Sequence, residues 1–548
     1  MKLRTSFFNF RVLRKNLSRF APLWILYAVG EVLGLMTLPT AGPSAARDLI
    51  RLMGPVSMFH MCYAFLVAAC LFGDLFDSRM CNGLHAMPLR REGWLITNLV
   101  SGFVFALIPA IVGGGVAAVM LGEYGWIALV WQGVSLLQFV FFFGVAVFSA
   151  MCAGKRLAMA AIYTLINFLS MLIYWIVNRL YIPLLPGVVL SSDWFGLLCP
   201  VVTICSHVYI DYDWGNTDNL IFDGFLSNEW SYLWICAGVG VVFLLAAWLL
   251  YRKRQLETAG DFVSFRPMRY GFLVTYTLFL GMLLYGFFEL FGLANNYIFL
   301  AVGIAIGYFT GWMLLERTVK VWTGKVLLGF AVFAALLAGS MGLTVLDPVG
   351  ITTYVPRTED VKTVCMYPLW DRYAYESGQG WYMADPEKIT QVQTLHRQIL
   401  ETQNQTGENA ISVELCYELK NGQRVRRSYR VPENSPVVGD LRLFFSDVRA
   451  VFVTEDWSQV QNTVELAYIR LYDKDQEITI TDPAVLQELL SAIEADSKDG
   501  NLYAHYEWEY VGSMDIYWET PWDSGTRVTN LEVFENCANI LTFLEEQK

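Results

Sequence analysis

The chain has 548 residues and a mean hydropathy of +0.41, with 55% hydrophobic and only 16% charged residues. Soluble proteins carry about a quarter charged, so a disordered chain is excluded. The 39 Lys and Arg stand against 50 Asp and Glu, and a net charge of −11 gives no general attraction to a phosphate backbone, so no nucleic acid is expected as partner. The charge is uneven: residues 1–346 hold 22 basic and 16 acidic residues, residues 347–548 hold 17 and 34.

Residues 1–19 interleave Phe7, Phe8, Phe10, Leu13 and Leu17 with Arg and Lys. They read as an interfacial amphipathic helix or, equally well, as topogenic charge with snorkelling stems. Nine apolar runs follow: Phe20–Leu38, Val56–Phe76, Leu95–Leu121, Ile127–Cys152, Leu157–Tyr181, Trp230–Tyr251, Tyr270–Phe291, Tyr297–Leu315 and Val326–Leu346. A hydrocarbon core about 30 Å thick needs roughly 20 helical residues to cross it, and in lipid each backbone amide must bond within its own segment. These runs therefore predict a polytopic α-helical membrane protein of about nine transmembrane helices: six over residues 20–251, a cytoplasmic linker at 252–269, and three more over 270–346. The first run is not read as a signal peptide, because its basic lead is long and it contains Glu31.

With the N-terminus in the cytoplasm, 19 Lys and Arg of the short loops fall on one side, among them Arg79, Arg90, Arg91, Lys155, Arg156 and Arg252 to Arg254. The opposite short loops hold only Arg47 and Arg51. Residues 182–206 are apolar enough to dip into the membrane, but Pro183, Pro186 and Pro200 argue against one straight helix, and an external hairpin or re-entrant piece is expected. Nine spans then place residues 347–548 outside the membrane, as an extracellular acidic α+β domain.

In that domain Ile411 to Tyr417, Asn421-Gly422 and Arg424 to Val431 form the pattern of a β-hairpin with a tight turn. Asp385-Pro386 and Asp482-Pro483 each start an amphipathic helix, Asp as cap and Pro in the first turn. Strand-like sequence follows both. The spacing suggests two related α+β units about 97 residues apart, or independent use of one helix start.

The chemistry is sparse. Gly324-Lys325 is followed by Val326 and Gly154-Lys155 by Arg156, so no phosphate-binding loop exists and any ATP hydrolysis belongs to another chain. The candidate ion-coupling groups in the apolar runs are Glu31, His60, Asp74 and Glu289. Glu31 is deepest, suited to gating or structure rather than, as the lesser alternative, ion coupling; Asp74 and Glu289 lie nearer helix ends. The five His form no metal-binding spacing, and Tyr503, His505, Glu507 and Glu509 read as one face of a strand rather than an acid/base site. The three Cys beyond residue 347 imply no disulfide framework, and Cys199 and Cys205 read as buried thiols rather than a pair. The segment from Asp77 to Gly93 is compact and mixed in charge, as is Tyr251 to Asp261; each suits partner docking or simple topogenesis.

The basic aromatic N-terminus, the loop DSRMCNGLHAMPLRREGW leading into the third run, and LLYRKRQLETAGD after the sixth resemble the membrane subunits of bacterial ABC-2 type transporters, in particular Gram-positive members with an extra external C-terminal domain. The likeness is best over residues 1–265. It implies a six-helix permease core at 20–251 that pairs with a second permease subunit, identical or not, and docks two ATP-binding subunits, which would carry ATP and Mg²⁺; this chain itself would hold no cofactor and catalyse nothing. The resemblance assigns the first ATPase-coupling contact to Asp77, Arg79, Asn82, His85, Pro88, Arg90, Arg91 and Glu92, and a second, shorter one to Ala153–Arg156 with Lys155 and Arg156; translocation or gating would fall to Glu31, Asp74 and Glu289. A ligand sensor signalling through its external domain and an ion-coupled transporter are the alternatives.

Overall fold

The computed structural model describes residues 8–38, 43–86, 90–190, 199–207, 231–254, 262–264, 266–292, 297–368, 382–402, 410–452, 454, 456–471, 476–502, 509–520 and 523–547. They form two compact units. One comprises Met1–Arg179 and Ser192–Gly339, the other Leu180–Ser191 and Ser340–Lys548.

The first unit is helical. Helix α1 (Phe10–Arg19) is capped by Asn9, whose Oδ1 accepts from the amides of Arg11 and Val12. The 15-residue α2 (Ala21–Leu35) follows at once. At 1.5 Å per residue it is about 22 Å long, shorter than a bilayer core, although the run Phe20–Leu38 promised a full span. Helices α3 (Pro43–Leu52) and α4 (Val56–Leu71) meet at a bend of 53° around Pro55. Ala45, Ala46, Leu49 and Ile50 of α3 are buried, so the stretch before the second run, expected as a loop, is instead packed helix. A 3-10 turn (Gly73–Phe76) leads to α5 (Ser78–Ala86), then come α6 (Arg91–Leu121), α7 (Trp126–Cys152) and α8 (Arg156–Ile176).

After α8 the chain makes a π turn (Val177–Tyr181). Short α9 (Pro200–His207) buries Val201, Thr203 and Ile204 within the helical unit, and is followed by α10 (Ser231–Lys253), α11 (Arg266–Glu289), α12 (Tyr297–Glu316) and α13 (Gly324–Leu346). Seven of these helices are long and apolar enough to cross a membrane, or eight if the bent α3–α4 pair counts as one span.

Helix α7 is the axis of this unit, with 20 of its 27 residues buried. Its Gly144 faces Gly240 of α10, and neither position has room for a Cβ: the two backbones touch, which only glycine permits. Gly303 of α12 likewise sits against Gly281 of α11, where an added Cβ would lie 3.0 Å from the Gly281 Cα. Helix α13 buries no residue and meets α12 through Phe330 on Tyr308 and Phe309.

The second unit holds two antiparallel sheets. In the first the order is β1 (Val361–Pro368), β2 (Ala410–Leu419), β3 (Arg424–Pro432); in the second it is β5 (Gln476–Ile480), β4 (Val464–Leu471), β6 (Tyr510–Thr520), β7 (Asp523–Phe534). The β2–β3 hairpin turns at Asn421-Gly422, where Gly422 has φ +83°. Helices α14 (Pro386–Thr402) and α16 (Pro483–Lys498) each start at the expected Asp-Pro: Asp385 Oδ1 accepts the Glu387 amide and Asp482 Oδ1 the Ala484 amide. Helices α15 (Val437–Ser446) and α17 (Ala538–Glu546) close the two halves. Each half therefore runs strand, Asp-Pro helix, antiparallel hairpin, helix, with β5 added in the second and the short helices Val448–Val451 and Trp457–Thr463 between the halves.

The strand-containing unit also takes in an earlier stretch of chain. Leu180–Ser191 belongs to the strand-containing unit: Val188 bridges Arg427, and Ser428 N donates to Gly187 O at 3.0 Å. The physical reason is that β3 has backbone groups to satisfy on the side away from β2.

Candidate functional site

Two clusters in the helical unit carry the polar chemistry. The first surrounds α5. Asp77 caps this helix, its Oδ1 accepting from the amides of Arg79 (2.8 Å) and Met80 (3.2 Å). Cys81 turns inward while Arg79, Met80 and Asn82 are exposed, so α5 presents a polar face. His85 lies in α5 with its side chain outside the described residues, and so does Pro88 altogether.

Where α6 begins, the loop residues meet the end of α10. Arg91 Nη2 donates to Arg254 O at 3.0 Å, and its guanidinium lies 5.1 Å from the centroid of the Tyr251 ring. Glu92 pairs with Arg252 at 3.5 Å. Trp94 packs on Tyr251 and, edge-on, against Phe72. The two segments singled out separately in the sequence, Asp77 to Gly93 and the one beginning at Tyr251, thus form one assembly.

Its keystone is Arg254, which the sequence offered only as one more topogenic cation. It is buried, and it donates from Nη1 to Ala150 O (2.8 Å) and Met151 O (3.0 Å) at the end of α7 and from Nη2 to Leu75 O (3.2 Å) in the 3-10 turn before α5. Burial pushes its pKa down from the usual value. The cost is met by carbonyls at a helix C-terminus, where the peptide dipoles favour a cation. The guanidinium fork suits three acceptors from two elements better than a lysine would.

The other expected contact, Ala153–Arg156, sits under the segment 262–264: Ala153 bridges Val263 and Ser264 N donates to Cys152 O at 2.8 Å. Lys155 and Arg156 are exposed at the start of α8, and Arg156 reaches Gly73, where an added Cβ would lie 3.2 Å from Nη2. Arg90 is exposed at the start of α6. Asp74 is half-buried in the 3-10 turn. Glu289 is remote from Glu31 and pairs with Arg179 at 3.0 Å, which makes it a clasp between α11 and the end of α8.

The second cluster is built on α2 and α7. His60 of α4 is closed on both sides: Nδ1 lies 2.6 Å from Gln138 Oε1, and Nε2 lies 2.8 Å from Tyr27 Oη. Gln138 Nε2 in turn donates to Met53 O, so its Oε1 is the acceptor and the neutral imidazole carries its proton on Nδ1. Glu31, one turn after Tyr27, faces Tyr27 and Gln132. Gly113 and Gly114 of α6 make room for them, since a Cβ on the first would overlap Glu31 and on the second would lie 2.9 Å from Gln132 Cγ. Glu31 Oε2, Trp131 Nε1 and both amide atoms of Gln132 have no hydrogen-bond partner among the described residues. A cavity of about 220 Å³ opens beside Glu31 and Trp131 between α2, α3, α4 and α7. The i, i+4 spacing of Tyr27 and Glu31 was a readable signal; the convergence of Trp131 and Gln132 was not.

Among the described residues no group of three or more His, Cys, Asp or Glu is arranged to hold a metal ion. The acid/base arrangement considered at His505 and Glu507 lies outside the described residues. Neither a family model, nor a curated protein, nor a solved structure matches this chain. Fold and site define a mostly helical chain with about seven helices able to span a membrane and a strand-containing C-terminal region.

Proposed function

We propose that this chain is the transmembrane permease subunit of an ABC-2 type exporter in a bacterial cell membrane, driven by two copies of a separate ATPase subunit and paired with a second permease subunit. The supporting observation is α5: a short, capped helix with a polar outer face, whose preceding 3-10 turn is tied through Arg254 and Arg91 to the ends of α6, α7 and α10. In this reading α5 is the cytoplasmic coupling helix. Closure of the ATPase pair pushes it, and because its root is tied to three long helices the push biases two packings of the bundle rather than bending one loop. Arg79, Asn82 and Arg90 meet the ATPase and set its register, whereas Arg91 and Glu92 hold the lever together. In this reading the short α2 also crosses the membrane, which makes nine crossings, and the distribution of basic residues supports a C-terminal region outside the cell.

The test is co-purification of the tagged chain from its native membrane. A Walker-motif ATPase should come with it and be lost from the Arg79→Glu/Arg90→Glu variant while the chain stays in the membrane. Recovery of the chain alone, or with a histidine kinase, sinks the proposal and points to a ligand sensor.

A further inference from the structure

The structure assigns a second property to the α2–α7 cluster: we propose that its cavity is a binding site for a small amphipathic amine, a protonated amino group on an apolar body.

The wall chemistry carries this. Leu35, Leu49, Leu52 and Val56 supply an apolar lining and Tyr27, Phe59 and Trp131 an aromatic one, Tyr27 and Phe59 having ring centroids 5.2 Å apart. One carboxylate, Glu31, borders this lining, and no basic side chain among the described residues neutralises it. A carboxylate with aromatic faces beside it is the arrangement that recognises an organic cation. Trp131, 5% exposed, also borders the cavity, and its indole N–H makes no hydrogen bond among the described residues.

The contrast with the neighbouring His60, Gln138 and Tyr27 chain is informative. Those groups satisfy one another, whereas Glu31, which borders the cavity, keeps one carboxylate oxygen without a hydrogen-bond partner among the described residues. An ammonium in the cavity pairs with the carboxylate of Glu31, which borders it, and the apolar body fills the space between α2 and α4. Gly30 and Gly34 line the cavity, and a Cβ added to either meets nothing within 4 Å, so space there is real and can be filled by design. The site stands on this geometry alone. That its ligand is the exported cargo rests on the ABC-2 reading.

The experiment uses the full chain in nanodiscs of phosphatidylglycerol, which lacks an amino group, with 2-phenylethylamine as the probe and its neutral isostere 2-phenylethanol as the control. The amine should bind about tenfold or more tightly than the alcohol, as one charge-assisted hydrogen bond warrants. Glu31→Gln should abolish that preference, and Gly34→Leu should remove binding of both compounds. Equal affinity for amine and alcohol, or binding unaffected by Gly34→Leu in a variant that melts like the parent, overturns the proposal. Adding phosphatidylethanolamine to the disc separates the sources: competition identifies an aminolipid headgroup as the occupant, and no competition identifies a free amine. Binding that persists although no ATPase co-purifies leaves the site standing and removes only its role in export.

Discussion

Arg254 shows how one side chain can set the rigidity of a junction. Its three carbonyl partners come from residues 75, 150 and 151, so nothing local to the basic run at 252–254 distinguishes it from its neighbours, and sequence reading assigned all three to topology. Arg254→Met should leave those carbonyls without a donor and cost about 2–4 kcal/mol, read as a lowered melting temperature in detergent, with Arg254→Lys intermediate. Replacing exposed Arg252, whose ion pair with Glu92 is half in solvent, should cost under about 1 kcal/mol. In the C-terminal unit the comparable residue is His396, buried between Tyr417 Oη at 3.0 Å and Tyr429 Oη at 2.8 Å. Burial first, then the charges of Arg427 and Arg397, lower its pKa from 6.5 to about 4. The unfolded chain therefore takes up this proton first as the pH falls. His396 contributes stability that is whole above pH 6.5 and drains away between 6.5 and 4, at most about 3 kcal/mol. Denaturation across that window should show this slope, and His396→Gln should flatten it.

At the level of elements, local signals were legible and those dependent on distant partners were not. Asn421-Gly422 and the two Asp-Pro starts needed only their own neighbours, and the structure has a hairpin and two capped helices there. Helix α3 was missed because its Arg47, Asp48 and Arg51 look like a loop until α7 and α4 bury the other face. The contact of α7 with α10 turns on Gly144 and Gly240, ordinary in the sequence of an apolar helix. Gly240→Leu should force the two apart and deplete folded protein, as seen by size-exclusion profile, whereas Gly238→Leu, with open space at its Cβ, should be tolerated. Strand register is equally testable. Cys365 and Cys416 stand directly opposite in the β1–β2 ladder as reduced cysteines. Cβ atoms of such a pair lie within about 4.5–5.5 Å, close to what a disulfide spans. Copper-phenanthroline should remove two thiols per chain by mass, and a one-residue slip of register would leave both.

For the whole molecule, the division into a helical and a strand-containing unit was visible in the charge alone, since hydropathy and acidity change together near residue 347. What charge could not reveal is that the second unit is assembled from two stretches of chain, Leu180–Ser191 and Ser340–Lys548. Nor could it reveal the matched order of elements in the two halves of that unit, which the sequence hinted at through the shared helix starts and which pairing of β1 with β2 and β4 with β6 now gives a topological form.

The split of the second unit bears on how the protein is made. Gly187 and its partner Ser428 are 241 positions apart, and six helices, α9 to α14, are translated between them. At about 5–20 residues per second the early segment waits roughly 12–50 s on the ribosome before β3 exists. Throughout that interval residues 182–190 lack the strand that completes them. Nascent chains arrested before residue 424 should therefore be cut by protease in this segment, and chains arrested well beyond residue 432 should resist, so that a single cleavage assay dates the moment at which β3 and the early segment pair.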